Sequence, residues 1–329
     1  MRFDQVKRRE FITLLSGAAV WPVAATAQQP IPVIGFLNST SPGPAAPLAV
    51  AFRQALAKQG YLEGRNVAIE YRWAEGHYDR LPGMAADLVN RNVAVIAATG
   101  GVVTAKAAIG ATSSIPILFI AGFDPVHEGL VTSIARPEGN ATGVSVYSAE
   151  LGNKRLELLR EIVPANRIGF LVNPGSISTN LEVTDLQENA RNPDLQLVVL
   201  EARADSDLDR AFEEAVGRGV GALLVSADPF FTSRRDQIVA LAARHKLPAS
   251  YPWPQYAEAG GLLSYGTTLI WAYDQIGLYA SRILKGAKPS DLPVQLPTKF
   301  ELGINLKTAR ALGLEIPPTL LARADKVIE

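Results

Sequence analysis

Short apolar, β-branched runs alternate along this chain with longer stretches whose apolar residues recur every three or four positions. PVIGFL (32–37), VAIEYR (67–72), VAVIAA (93–98) and PILFIA (116–121) read as strands. Between them, residues 45–59, 78–91 and 102–110 read as helices, the second with Leu81, Met84, Ala85, Leu88 and Val89 at helical spacing. VAVIAA is almost uninterrupted, as a strand is when both faces of its sheet are covered. After Tyr147 the alternation restarts. Helices are predicted at 150–163, 177–190, 206–217 and 231–245, with strands at 167–172, 195–202, 221–226, 247–251 and 260–266. Parallel strands need crossover helices. The pattern therefore predicts an α/β fold of two doubly wound parallel-sheet lobes.

The alternation breaks after Gly266. TTLIWAYDQIGLYASRILKG places Ile270, Tyr273, Ile276, Gly277, Ala280, Ile283 and Leu284 on one face, with Gly286 as its C-terminal stop. This long helix is expected to return to the first lobe. The tail from Pro293 is expected to add a last strand and two short helices.

The N-terminus follows a different pattern. KRREFITLLSGAAV (7–20) sets Lys7, Arg8 and Arg9 before an apolar run that Thr13, Ser16, Gly17 and Pro22 dilute. A spanning helix needs about 20 predominantly apolar residues, and Pro22 would break it. A basic segment, a modest apolar segment and the small residues Ala25-Thr26-Ala27 read instead as a secretory signal over 1–27, cut before Gln28. Arg8-Arg9 followed by Glu10, Phe11 and Ile12 resembles the twin-arginine export signal. The expected location is the periplasm.

Composition narrows the chemistry. The chain has 329 residues, 48% hydrophobic and 19% charged, with no net charge. That is enough apolar material for two cores of ordinary size. The first 27 residues hold four basic and two acidic side chains, so the rest stands at −2. Nucleic-acid binding wants a basic face, and none is offered. With no cysteine there is no disulfide, thiolate nucleophile or cysteine-ligated metal, and no lipid-modified cysteine after the cleavage site.

In open α/β sheets, ligands sit outside the carboxyl ends of the strands. The first lobe offers Asn38-Ser39-Thr40, Thr99-Gly100-Gly101 and Gly122-Phe123-Asp124 there. The second offers Asn173-Pro174-Gly175-Ser176, Asp228-Pro229-Phe230, Tyr251-Pro252-Trp253 and Tyr265-Gly266-Thr267. Thr99-Gly100-Gly101 leads into a helix, whose first N–H groups can hold a carboxylate, although Gly-Gly also marks any tight turn. Asp124 and Asp228 both precede proline and serve equally well as cleft carboxylates or turn residues. Tyr147, Tyr251, Trp253 and Tyr265 read as rim residues, with core packing as the alternative. His77, His127 and His245 lie far apart and outside metal-ligand spacing. There is no Gly-x-Ser-x-Gly elbow, no P-loop, and no G-x-G-x-x-G after the first strand. No catalytic residue, metal or cofactor is expected.

Four longer stretches then carry a resemblance: DPVHEGLVTSIARPEGNATGVSVY (124–147), PASYPWPQYAEAGGLLSYG (248–266), ILKGAKPSDLPVQ (283–295) and INLKTARALGLEIPPTLLARADKVIE (304–329). Together they resemble the TrpX-like family of ABC-transporter solute-binding proteins, over essentially the whole chain beyond the leader. The resemblance implies the type I periplasmic-binding-protein architecture, with a three-strand hinge crossing between lobes near Tyr147, Thr267 and Pro293. Lobe 1 would then be 28–146 with 267–292, and lobe 2 would be 147–266 with 293–329. It implies a ligand between the lobes, on Asn38, Ser39, Thr99, Gly100, Phe123 and Asp124 from one side and Asn173, Asp228, Tyr251 and Tyr265 from the other, with Tyr147 at the first crossing. The implied partners are a small molecule, an aromatic amino acid or a related aromatic or carboxylate compound, and an ABC permease in the inner membrane, with the protein a monomer. An exported enzyme on the same fold and a ligand-presenting sensor for a membrane receptor are the alternatives.

Overall fold

A computed structural model describes residues 31–148, 150–189 and 195–329. The leader and its cleavage site lie outside the described residues. The first sheet grows from β1 (Val33–Asn38), α1 (Pro42–Lys58), β2 (Ala68–Trp73), α2 (Leu81–Asn90), β3 (Val95–Ala98), α3 (Val102–Ala111), β4 (Ile117–Ala121) and β5 (Ala141–Ser145). Its order is β2-β1-β3-β4-β5, and every pairing is parallel. Period-two alternation divides the side chains between two cores. Ile34, Phe36, Ala97, Leu118 and Ile120 pack with Phe52 of α1 on one face. Leu37, Ile96, Ala98, Ile117 and Phe119 pack with Leu88 of α2 and Ala105 of α3 on the other.

The second sheet takes α4 (Gly152–Ile162), β6 (Arg167–Val172), α5 (Thr179–Asn189), β7 (Gln196–Glu201), α6 (Asp205–Gly217), β8 (Ala222–Val225), α7 (Pro229–Ser233), α8 (Arg235–Arg244), β9 (Ala249–Tyr251), α9 (Pro254–Glu258) and β10 (Leu263–Gly266). The long α10 (Leu269–Leu284) follows, then β11 (Glu301–Asn305), α11 (Leu306–Ala311), α12 (Pro318–Leu321) and β12 (Lys326–Ile328). The order is β12-β11-β10-β9-β8-β6-β7. β11 runs antiparallel to β10, because the chain enters it after returning from the first lobe.

As expected, α10 lies on the first lobe. The Thr268 hydroxyl caps it by accepting from the Ile270 N–H, and Gly286, at φ 97°, ends it. Its apolar face joins the core of α1 and the first sheet through Ala272, Tyr273 and Ile276. At Gly277 the two helices nearly touch: a Cβ there would lie 2.5 Å from the Phe52 carbonyl oxygen. After α10 the chain pairs once more with the first sheet, where the Gln295 N–H donates to the Gly143 carbonyl at 2.9 Å and its carbonyl accepts from the Ser145 N–H. Four elements exceed the sequence reading: β5 within 124–147, α7 as a helix separate from α8, α9 after Tyr251, and a second tail strand, β12. The first sits in a loop-like sequence, ATGVS, and is a strand because β4 supplies the ladder.

Candidate functional site

The carboxyl ends of the parallel strands in the two sheets face each other across a cleft of about 860 Å³, counting its open mouth. Asn38, Thr99, Gly100 and Phe123 line the cleft from the first lobe, and Asp228 lines it from the second. Trp253, Tyr273, Leu48 and Val103 supply apolar wall, and Thr40, Ser148, Ser176, Ser178 and Thr232 supply hydroxyls.

The floor on the first lobe is held by side chains with no capacity to spare. Asn38 Nδ2 donates to Thr99 Oγ1 and to the Tyr273 hydroxyl, both at 3.0 Å. Asn38 Oδ1 accepts from the N–H and hydroxyl of Thr40 at 2.8 Å. The Tyr273 hydroxyl donates to the Thr99 carbonyl at 2.9 Å. Asn38 is thus fully bonded within the protein and fixes the loops around it. Next to it, the Gly100 carbonyl accepts from Ser39 Oγ at 2.8 Å and Thr104 Oγ1 at 2.9 Å. A Cβ on Gly100 would sit 2.2 Å from the Ser39 nitrogen, so the turn tolerates only glycine. Gly101, at φ 83°, opens α3 without a side-chain cap, and Val102 and Val103 of the first turn line the cleft. The first N–H groups of a helix lack intrahelical partners and favour an anion.

Asp228 both caps and lines. Its Oδ1 accepts from the Phe230 N–H at the start of α7 and from Asn173 Nδ2, both at 2.9 Å, and from the Tyr78 hydroxyl at 2.8 Å. Among the described residues, its Oδ2 is buried without a hydrogen-bond partner. Burial raises the Asp228 carboxyl; the bonds from Asn173, Tyr78 and Phe230 partly offset this. Burial, then the Asp228 charge, pushes the Tyr78 phenol well up, so Tyr78 stays a donor. Tyr78 belongs to the first lobe, so this bond ties the lobes together. So does a second, in which Ser178 Oγ donates to Glu128 Oε1 at 3.1 Å.

The remaining expected site residues lie off the cleft wall. Ser39 and Asn173 stand directly behind it, bonded to Gly100 and Asp228. Asp124 Oδ1 accepts from the Val126 N–H in its own turn, and its N–H donates to Glu150 Oε1. Tyr147, at φ 48°, sits at the first crossing in a region that costs a non-glycine residue energy. Tyr251 is buried in lobe 2, stacked on Tyr256 at 4.7 Å. Tyr265 lies against Phe300.

Strand-end reading missed Glu182, Tyr273, Thr232 and Ser148. Glu182 is on the first turn of α5, one element beyond a strand end, and its partly exposed side chain lines the cleft. Burial pushes its carboxyl up to about 8, against the opposing pull of Arg155. Arg155 is itself buried, with Nη1 donating to the Ser148 carbonyl at 2.7 Å. Burial lowers it to about 10. An acid one turn into a helix that follows a strand was the available signal.

The family model for ABC transporter substrate binding protein matches residues 43–328. The chain belongs to this family. A tyrosine-binding protein of Clostridioides difficile strain R20291 is 28% identical over 265 residues, covering 80% of this chain and 76% of that protein. The structure resembles a Streptococcus pneumonia ABC domain in complex with L-Trp, with TM-score 0.80, 25% identity, and coverage of 90% and 99% of the two chains. It also resembles the ligand-free, open structure of a Clostridium difficile substrate binding protein with adhesive properties, with TM-score 0.62, 26% identity, and coverage of 91% and 99%. At nearly equal identity, the fit is better to the L-Trp complex than to the open form. The bonds from Tyr78 to Asp228 and from Ser178 to Glu128 join the two lobes across the cleft. The architecture is the type I periplasmic binding fold, and the protein is the substrate-binding component of an ABC transporter, a solute-binding class that works outside the cytoplasm.

Proposed function

We propose that this protein is exported to the periplasm by its twin-arginine leader and carries an aromatic amino acid to an ABC permease in the inner membrane, as a monomer. Its lobes, 28–146 with 267–292 and 147–266 with 293–329, close on the ligand. The observation that carries this reading is the cleft itself. It combines aromatic residues (Phe123, Trp253, Tyr273), the uncapped start of α3 and carboxyl groups from the other lobe. A ligand carboxylate fits the α3 N-terminus, and an aromatic side chain fits the rings. The relatives that bind tyrosine and tryptophan support the same class. Contacts to both lobes favour the closed state by differential affinity, and that state is what a permease would recognise.

Thermal shift with L-tryptophan, L-tyrosine and L-phenylalanine tests it. At a hundredfold excess over Kd, a cognate ligand adds about 2.7 kcal/mol, which raises Tm by several degrees in domains of this size. No shift with any of the three refutes the ligand class. Mass spectrometry of the exported protein should find its N-terminus at Gln28; an uncut chain in the cytoplasm refutes the export reading.

A further inference from the structure

The charges around the cleft are lopsided. Among the described residues that line it, only Glu182 and Asp228 are carboxylic acids, and none is a lysine, arginine or histidine. Asp228 is 5% exposed, and among the described residues its Oδ1 accepts three hydrogen bonds and its buried Oδ2 none. Among the described residues, the Glu182 carboxylate takes no hydrogen bond and no ion pair. The cation whose charge acts on it is Arg155, whose Nε is buried without a partner and whose Nη1 serves the Ser148 carbonyl. One guanidinium set against two carboxyl groups leaves the lining short of positive charge unless a carboxyl holds a proton. A buried charge in that position is relieved by a proton or by a cation.

We propose that the cleft accepts only ligands that carry a cationic amine, seated on Glu182 with Asp228 as the second carboxylate. Glu182 then decides which ligands are accepted, and the aromatic wall decides which of those bind tightest. An amine-free aromatic acid would place its carboxylate at α3 as well as an amino acid does, yet would leave the acidic side of the cleft uncompensated. Asp228 is the lesser partner because Oδ1 is already engaged with Tyr78, Asn173 and the Phe230 N–H.

The inference rests on the reading of this cleft as the ligand site, but it fails separately from the choice of an aromatic amino acid. Calorimetry on the purified protein would use L-tryptophan, L-tyrosine and L-phenylalanine, the corresponding amine-free propionates, the corresponding decarboxylated amines, and L-leucine and L-lysine as non-aromatic amines. The amine-free acids should bind about thirtyfold or more weakly than their amino acids, the loss typical of a charge-assisted pair in a desolvated site. Glu182→Gln should weaken amino-acid binding by a similar factor and leave the amine-free acids unchanged or tighter, a pattern that simple misfolding would not produce.

Proton linkage gives a second readout. The groups that face Glu182 are Arg155 on α4, Asp228 ahead of α7, and Glu150 in the turn before α4. Burial pushes the Glu182 carboxyl up to about 8, so an arriving ammonium favours release of its proton. Amino-acid affinity should rise between pH 6 and 8 with proton release to buffer, and Glu182→Gln should flatten that rise. The proposal is overturned if an amine-free acid binds within threefold of its amino acid, if Glu182→Gln keeps full affinity, or if no amine in the panel binds. Binding of leucine or lysine alone supports it and sinks the aromatic reading instead. Binding of an amine-free aromatic acid does the reverse.

Discussion

Tyr273 shows how a residue can serve the site without lying where strand-end reasoning looks. Its helical spacing assigned it to the buried face of α10, and it is buried there. Yet its hydroxyl reaches Asn38 and the Thr99 carbonyl, two of the loops around the cleft. Tyr273→Phe should strand the Thr99 carbonyl and one Asn38 N–H in the interior, at about 1–3 kcal/mol. The urea midpoint should fall with an unchanged m-value; an unshifted midpoint would mean the network carries no net stability. Asn38, Thr99, Gly100, Phe123 and Asp228 could be placed at the cleft from the sequence because each lies at, or within three residues of, the carboxyl end of a strand. Tyr251 and Tyr265 also sit at strand ends, but their rings turn into lobe 2. Which side of a strand end a ring takes depends on sheet register, and a single chain's periodicity does not give the register.

At the scale of elements, the long periodic helices and the apolar strands were legible, because both faces of each sheet are covered and the side chains divide cleanly between them. The short elements were not. α9 spans only Pro254–Glu258, and β5 has the weak strand sequence ATGVS; both owe their form to neighbours distant in sequence. α5 illustrates a related limit. Its position was expected, but nothing in its spacing says that its first turn turns toward the cleft, and so Glu182 escaped notice. The closeness of α1 and α10 at Gly277 was equally hidden, since a glycine on an apolar face reads as a weak point until a second backbone is laid against it.

At the scale of the molecule, the lobes are joined across the cleft by their own side chains. Tyr78 spans to Asp228 and Ser178 spans to Glu128, so a share of the closing energy exists before any ligand arrives. Tyr78→Phe removes one of these bridges while leaving Asn173 and the Phe230 N–H on Asp228. The ligand-free variant should show a larger radius of gyration by small-angle scattering, and affinity should drop about tenfold, in line with a lost bond to a charged group. Saturating ligand should restore the compact form. Identical scattering from the variant and the parent would show that the bridge does not hold the lobes.

The return of α10 to the first lobe also sets the order in which the chain can complete itself during synthesis. β5 ends at Ser145, and α10 begins only at Leu269. Until then the face of the first sheet that carries Phe36, Leu118 and Ile120 has α1 but not the helix that finishes its cover. At translation rates of 5–20 residues per second, that face waits for about ten seconds. The lobes therefore cannot mature one after the other from the N-terminus, and a nascent chain released or cut before Leu284 would present an adhesive apolar surface. Chaperone protection should be needed most within this window.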